Sequence, residues 1–203
     1  MTEQEQHGVE EREYIVALGL PKGVVHDATS GEAVGLIRLG GQVVDSMSLD
    51  LYHVWTHYLI PRPAEEVPDP RNDPRLTNQD SLERLLSLGF LLKIKMGSGL
   101  GKHLADLKPL PLGYAIGNEP DEADSFVVEM PGRGAVTLDA LGQALWVSMD
   151  GNLTLREIIS ETSAWFNVES EILENGLIYT VLLLMGGRCL YLDRALRNNG
   201  RAH

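Results

Sequence analysis

"MDGNLTLREI", residues 149–158, decides how the C-terminal half of this 203-residue chain folds. Asp150-Gly151 is turn chemistry, because glycine enters positive φ without a steric cost. Thr154 stands where a helix N-cap belongs, and Glu157 follows it by three residues. At that spacing the Thr154 side chain accepts from the Glu157 N–H while the Glu157 carboxylate reaches back to the Thr154 N–H, which is a capping box. The stretch predicts two short helices meeting at a tight turn. The second helix offers Leu155, Ile158, Ile159 and Trp165 or Phe166 as its apolar face.

A helix-turn-helix suggests DNA, but the charge does not. Asp and Glu number 29 against 17 Lys and Arg, a formal net charge of −12. Nucleic-acid affinity rests largely on cations neutralising phosphates, and the densest positive stretch, "DRALRNNGRAH", is short. Basic peptides or proteins are the better electrostatic partners for such a surface. Hydrophobic residues at 43% and charged residues at 23% are ordinary for a folded chain. The longest apolar stretch, around 177–185, is too short to span a bilayer. The acidic, polar start "MTEQEQHGVEERE" is unlike a signal peptide, so a cytoplasmic protein is expected. Cys189 is alone, which rules out an intramolecular disulfide and a multi-cysteine metal site.

Outward from residues 149–158, the order of elements repeats. "SFVVEM" and "AVTL" read as strands joined by "PGRG"; "DALGQALWVSM", "TLREIISETSAWF" and "ESEILENGLIYTVLLLM" read as helices, and "CLYLD" as a closing strand. In the first half, "EYIVALGLP", "AVGLIRL" and "QVVDSM" read as strands, with a turn-rich "KGVVHDATSGE" after the first and Gly40-Gly41 as a hairpin turn. "SLDLYHVWTHYL" is a helix by the spacing of Leu51, Val54, Trp55 and Tyr58. Pro61, Pro63, Pro68, Pro70 and Pro74 argue against a long helix over 60–76. "TNQDSLERLLSLGF" resumes helix, capped by Thr77 or Asn78 and stopped by Gly89, and "FLLKIKM" is a strand.

Leu20-Pro21-Lys22-Gly23 matches Leu110-Pro111-Leu112-Gly113. "LIRLGGQVVDSMS" aligns without gaps to "VVEMPGRGAVTLD" at an offset of 91, where Trp55 falls on Trp146. The expectation is a duplication. It gives an α+β chain of two units, 13–96 and 110–193, each a small antiparallel sheet packed against two or three helices. A linker over 97–109, a disordered acidic arm over 1–12 and a tail over 194–203 complete it. The first unit lacks the middle helix.

The segment over 125–193, with Trp146, Asp150, Gly151, Thr154, Leu155, Glu157 and Ile158 in order, resembles the PqqD-like winged-helix family. The resemblance is weak over 13–95, where the Asp-Gly turn and the capping box are absent. It implies tandem winged-helix domains and a non-enzymatic role: binding the leader of a ribosomally made precursor peptide and delivering it to a modifying enzyme. In such complexes the leader adds a strand to the sheet edge and packs beside the third helix. Carried over, the edge strand is Gly134–Leu138, with Ala135, Val136, Thr137 and Leu138 as contacts. The groove helix spans 172–185, with Leu177, Thr180, Val181 and Leu184. Leucines at helical spacing are, however, more often core. A second groove would use Val43, Val44, Asp45 and Leu85.

Other chemistry finds little support. "GSGLGK" lacks the glycine at 96 that a phosphate loop needs and the glycine at 102 of a dinucleotide fingerprint. His53 and His57 have a metal-ligand spacing, but Val54 replaces the zinc-protease Glu and no third ligand stands out. No catalytic constellation, metal site or cofactor is expected. Two rivals to peptide binding remain: a winged-helix DNA-binding regulator, which needs a basic recognition helix, and a scaffold or homodimerisation module using the apolar third helix.

Overall fold

The computed structural model describes residues 12–66, 79–119 and 122–195; at 42–46, 119 and 122–124 only the backbone is described. The architecture is α+β. Strand β1 (Glu13–Ala17) is followed by a meander of β2 (Leu20–His26), β3 (Ala33–Leu39) and β4 (Gln42–Ser48), then α1 (Leu49–His57), β5 (Arg62–Pro63), α2 (Gln79–Ser87) and β6 (Leu91–Lys95). A short α3 (Lys102–Ala105) leads to β7 (Leu107–Pro111), and a second meander of β8 (Tyr114–Glu119), β9 (Glu122–Met130) and β10 (Gly134–Leu138) follows. The chain ends with α4 (Ala140–Val147), α5 (Leu155–Phe166), α6 (Ser170–Gly186) and β11 (Leu190–Arg194).

Both halves use the same pairing scheme. The last strand returns antiparallel to the first: β6 pairs β1, with Ala17 opposite Leu91, and β11 pairs β7, with Pro111 opposite Leu190. Between them each half builds an antiparallel three-stranded sheet, β2-β3-β4 and β8-β9-β10. Each sheet carries a bulge at the same place, between Pro21 and Gly23 and between Ala115 and Gly117. Gly23 (φ 105°) and Gly117 (φ 114°) hold the positive φ that such a bulge requires. These glycines lie 94 residues apart by subtraction, as do Gly19 and Gly113.

The expected Leu-Pro-x-Gly match is therefore out of register. Pro111 ends β7, whereas Pro21 lies in β2. The offset of 91 holds for the later elements: Tyr58 N–H donates to Trp55 O (3.1 Å) and Met149 N–H to Trp146 O (2.9 Å). The helix ends correspond too, 99 residues apart. Phe90 N–H donates to Leu85 O (2.9 Å) and Cys189 N–H to Leu184 O (2.8 Å), so α2 is the counterpart of the C-terminal half of α6. Among the described residues the first half has no counterpart of α5; β5 runs there instead and pairs with β1. The cap expected at Thr77 or Asn78, the arm over 1–11 and the tail beyond 195 lie outside the described residues.

Three expectations change. Residues 97–109 are not a free linker: α3 and β7 occupy most of the stretch, and Leu104 and Leu107 are buried in the larger core. Leu100 N–H donates to Glu174 Oε2 (2.7 Å), which ties the preceding loop to α6. The second unit thus starts at β7, before residue 110, and Arg194 belongs to β11 rather than to a tail.

The halves share a core. Ile15 and Ala17 face α1 and α2 in the smaller cluster, while Val16 and Leu18 join Leu104, Leu177 and Leu184 in the larger one. A strand buried on both faces needs an uninterrupted apolar run, and "YIVAL" supplies it. Polar contacts lock the junction. Gly19 N–H donates to Leu192 O (2.7 Å), Gly40 N–H to the buried Asp193 carboxylate (2.6 Å), and Arg194 Nη2 to Gly89 O at the end of α2 (2.7 Å).

Candidate functional site

Strand β10 and helix α6 form the candidate peptide-docking surface. Asp139 follows β10 and caps α4, its carboxylate accepting from Gly142 N–H (2.7 Å). Residues 149–158 then turn the chain from α4 into α5. Asp150 accepts from Asn152 N–H (2.7 Å), Gly151 sits at φ 83°, and the expected capping box forms: Thr154 N–H donates to Glu157 Oε2 (2.7 Å) and Glu157 N–H to Thr154 Oγ1 (3.3 Å). These bonds stabilise the charged carboxylates. Bonds from Thr154 hold the Glu157 carboxyl below its usual pKa, and bonds from Asn152 do the same for Asp150. The turn sets the angle between α4 and α5, on which α6 then packs.

Strand β10 pairs with β9 alone among the described residues, so its other side is a sheet edge. Ala135 and Thr137 are exposed; Val136 and Leu138 point into the core, and only their backbone is available at the edge. The strand sequence Gly-Ala-Val-Thr-Leu holds no proline and no charge, the devices that usually blunt an edge. By contrast, the edge strand of the first half, β4, contains Asp45 in its sequence and pairs β3 with a register shift. Val43, Val44 and Asp45 have side chains outside the described residues, and Leu85 is buried in the smaller core rather than lining a groove.

Helix α6 corrects the expected contacts. Leu177 and Leu184 are 0% exposed, and Thr180 and Val181 are also buried, so none of these four presents a side chain to a ligand. The reason is position: α6 packs on α4, α5, β10 and β11, and its buried residues belong to one core cluster with Val16, Leu18 and Ile94. Its open face carries Ile172 and Tyr179, each 54% exposed and two turns apart, with Glu171, Asn175 and Gly186 beside them. The sequence signal for that face was available. Glu171 and Asn175 mark the one arc of the helix with polar residues, and Ile172, Tyr179 and Gly186 repeat every seven residues along its margin.

The α5 face is corrected in the same way. Leu155, Ile158, Ile159 and Thr162 are buried, but Trp165 (66%) and Phe166 are exposed, because α5 runs past the core before Asn167 ends it at φ 52°.

Trp55 Nε1 donates to Leu18 O (3.2 Å) inside the core, and His57 meets Tyr58 edge-on at 5.1 Å. No group of three metal-ligating side chains comes together among the described residues. Cys189 is buried and its Sγ lies 3.5 Å from Gly187 O; burial pushes the thiol pKa up, which leaves a poor nucleophile. Among the described residues no helix is long and apolar enough to cross a membrane.

Comparisons with family models, with curated proteins and with solved structures found no match.

Proposed function

We propose that the chain is a non-enzymatic peptide-binding protein. Its two halves are read as winged-helix units of the PqqD-like kind, and the second captures the leader of a ribosomally made precursor peptide for a modifying enzyme. The observation that carries this is the unblunted edge of β10 lying beside α6, whose open face bears Ile172 and Tyr179. An added strand takes generic affinity from backbone N–H and C=O groups and selectivity from the side chains that flank it. The first half is then a supporting partner, since its edge strand carries a charge in its sequence and an irregular register.

A DNA-reading role fits poorly. The helix in the recognition position, α6, contains no Lys or Arg and buries most of its circumference. A scaffold role would use exposed apolar residues outside that site, such as Trp165 and Phe166 at the end of α5.

The test is calorimetric titration with leader peptides from precursor genes neighbouring this one, on wild type and on an Ala135→Lys/Thr137→Lys double variant. Saturable binding that the double variant loses supports the reading. Absence of binding to every such leader refutes it.

A further inference from the structure

The two ends of β10 carry different side chains, with Glu129 opposite Ala135 near the first of them. Gly187 lies against Val136, so closely that a Cβ there would overlap the Val136 side chain. Nearer the start of α6, a Cβ on Gly176 would come 2.6 Å from Leu141 Cδ2, in the helix that follows β10. Helix and strand therefore run in opposite directions, and the C-terminal end of α6 adjoins β10 at Val136, the middle residue of the strand. Two arginines flank this contact in sequence. Arg133 immediately precedes β10, Arg188 immediately follows Gly187, and both are exposed. Among the described residues neither pairs with a carboxylate. The opposite end carries the exposed Asp139, and neither α4 nor α6 contributes a Lys or Arg.

Arg188 occupies its place against a conformational preference. Its φ is 57°, a left-handed conformation that few residues other than Gly, Asn and Asp adopt readily, and its counterpart in the first half is Gly89 at φ 71°. Glycine would end the helix with less strain; what Arg188 adds is a guanidinium.

We infer that Arg133 and Arg188 make an anion-recognising end of the groove, so that the fitting peptide carries Asp or Glu just after its strand-forming segment. This rests on the strand-addition reading proposed above. The β8-β9-β10 sheet is antiparallel throughout, and a further antiparallel strand begins opposite Leu138 and ends opposite Gly134. Its C-terminal side then reaches the arginines, whose planar donors suit a carboxylate. Elsewhere on a surface of net charge −12 the same acid is repelled, so its placement discriminates among peptides.

The test is selection of a random library of peptides about twelve residues long on the full chain. Affinities of the selected peptides are then measured by fluorescence anisotropy on wild type, Arg133→Ala and Arg188→Gly. The expected binders have an alternating apolar segment followed by Asp or Glu, and each variant weakens them roughly two- to fivefold, the range for an exposed ion pair. Arg188→Gly is also expected to melt above wild type, because glycine relieves the left-handed residue. That separates lost recognition from lost folding. Binders whose acid precedes the segment, or whose affinity ignores both variants, overturn the anion end while leaving strand addition standing. Failure to select any binder overturns both.

Discussion

Replacing Leu177 by alanine and, separately, Tyr179 by serine separates the buried face of α6 from the exposed face proposed to dock peptide. Leu177 is fully buried among the residues of the larger core, so truncation removes apolar contact and leaves a cavity. The lost methylene-type groups are worth about 2 kcal/mol, and incomplete collapse of the cavity brings the cost to about 3 kcal/mol. For a chain of this size that lowers the midpoint of thermal unfolding by roughly 6–12 °C. Tyr179 is 54% exposed, and serine has a similar helix propensity, so the second change costs less than about 1 kcal/mol. Thermal melts followed by circular dichroism, combined with peptide affinity, give the comparison. The expected pattern is a destabilised Leu177→Ala that still binds when folded and a stable Tyr179→Ser that binds more weakly. A Leu177→Ala protein that melts like wild type yet loses peptide would refute an α6 that buries Leu177 and presents Tyr179.

Asp193→Ala should weaken the junction of the halves. It leaves the Gly40 N–H without the carboxylate acceptor it meets at 2.6 Å, a loss of about 1.5–3 kcal/mol, and calorimetry should show the midpoint falling by roughly 3–12 °C. The capping-box turn should respond to acid. Hydrogen bonds lower the Glu157 and Asp150 pKa values in the folded chain, so the stability they confer is fully present above the unfolded carboxylate range, near pH 4–5, and is lost as pH falls through the folded values. Melts of Glu157→Gln should therefore lie below wild type at pH 7 and converge on it as pH falls towards 2; a constant gap would contradict this. Trp165→Ser, on the overhanging end of α5, should change the midpoint by less than about 2 °C, since it removes little buried surface.

Local chemistry was legible in the sequence where a few adjacent residues decide it. Asp150, Gly151, Thr154 and Glu157 specify their turn and cap without help from the rest of the chain, and the meander strands β3, β4, β9 and β10 and all the longer helices stand where their periodicity placed them. What escaped depends on distant partners. Strand β7, "LKPLP", has two prolines and no alternation, and becomes a strand because β11 returns beside it. The bulge glycines Gly23 and Gly117 mark the correspondence of the two halves more clearly than the Leu-Pro-x-Gly match, but only pairing registers reveal it. For the candidate site, the edge strand was legible, and the open face of α6 was marked only by Glu171 and Asn175. Those two polar residues do not tell the buried leucines from the exposed margin, because Leu177, Val181 and Leu184 are buried in one core cluster with Val16 and Ile94, from far earlier in the chain.

The central claim is that a peptide adds to β10, the outer strand of its sheet, beside Ile172 and Tyr179. Amide hydrogen exchange of the full chain, with and without a selected or genomic leader peptide at saturation, reads this directly. Slowed exchange confined to 134–138 and the exposed face of α6 is the predicted result. A bound peptide that leaves those amides unchanged and slows exchange around β4, or around Trp165 and Phe166, would contradict it.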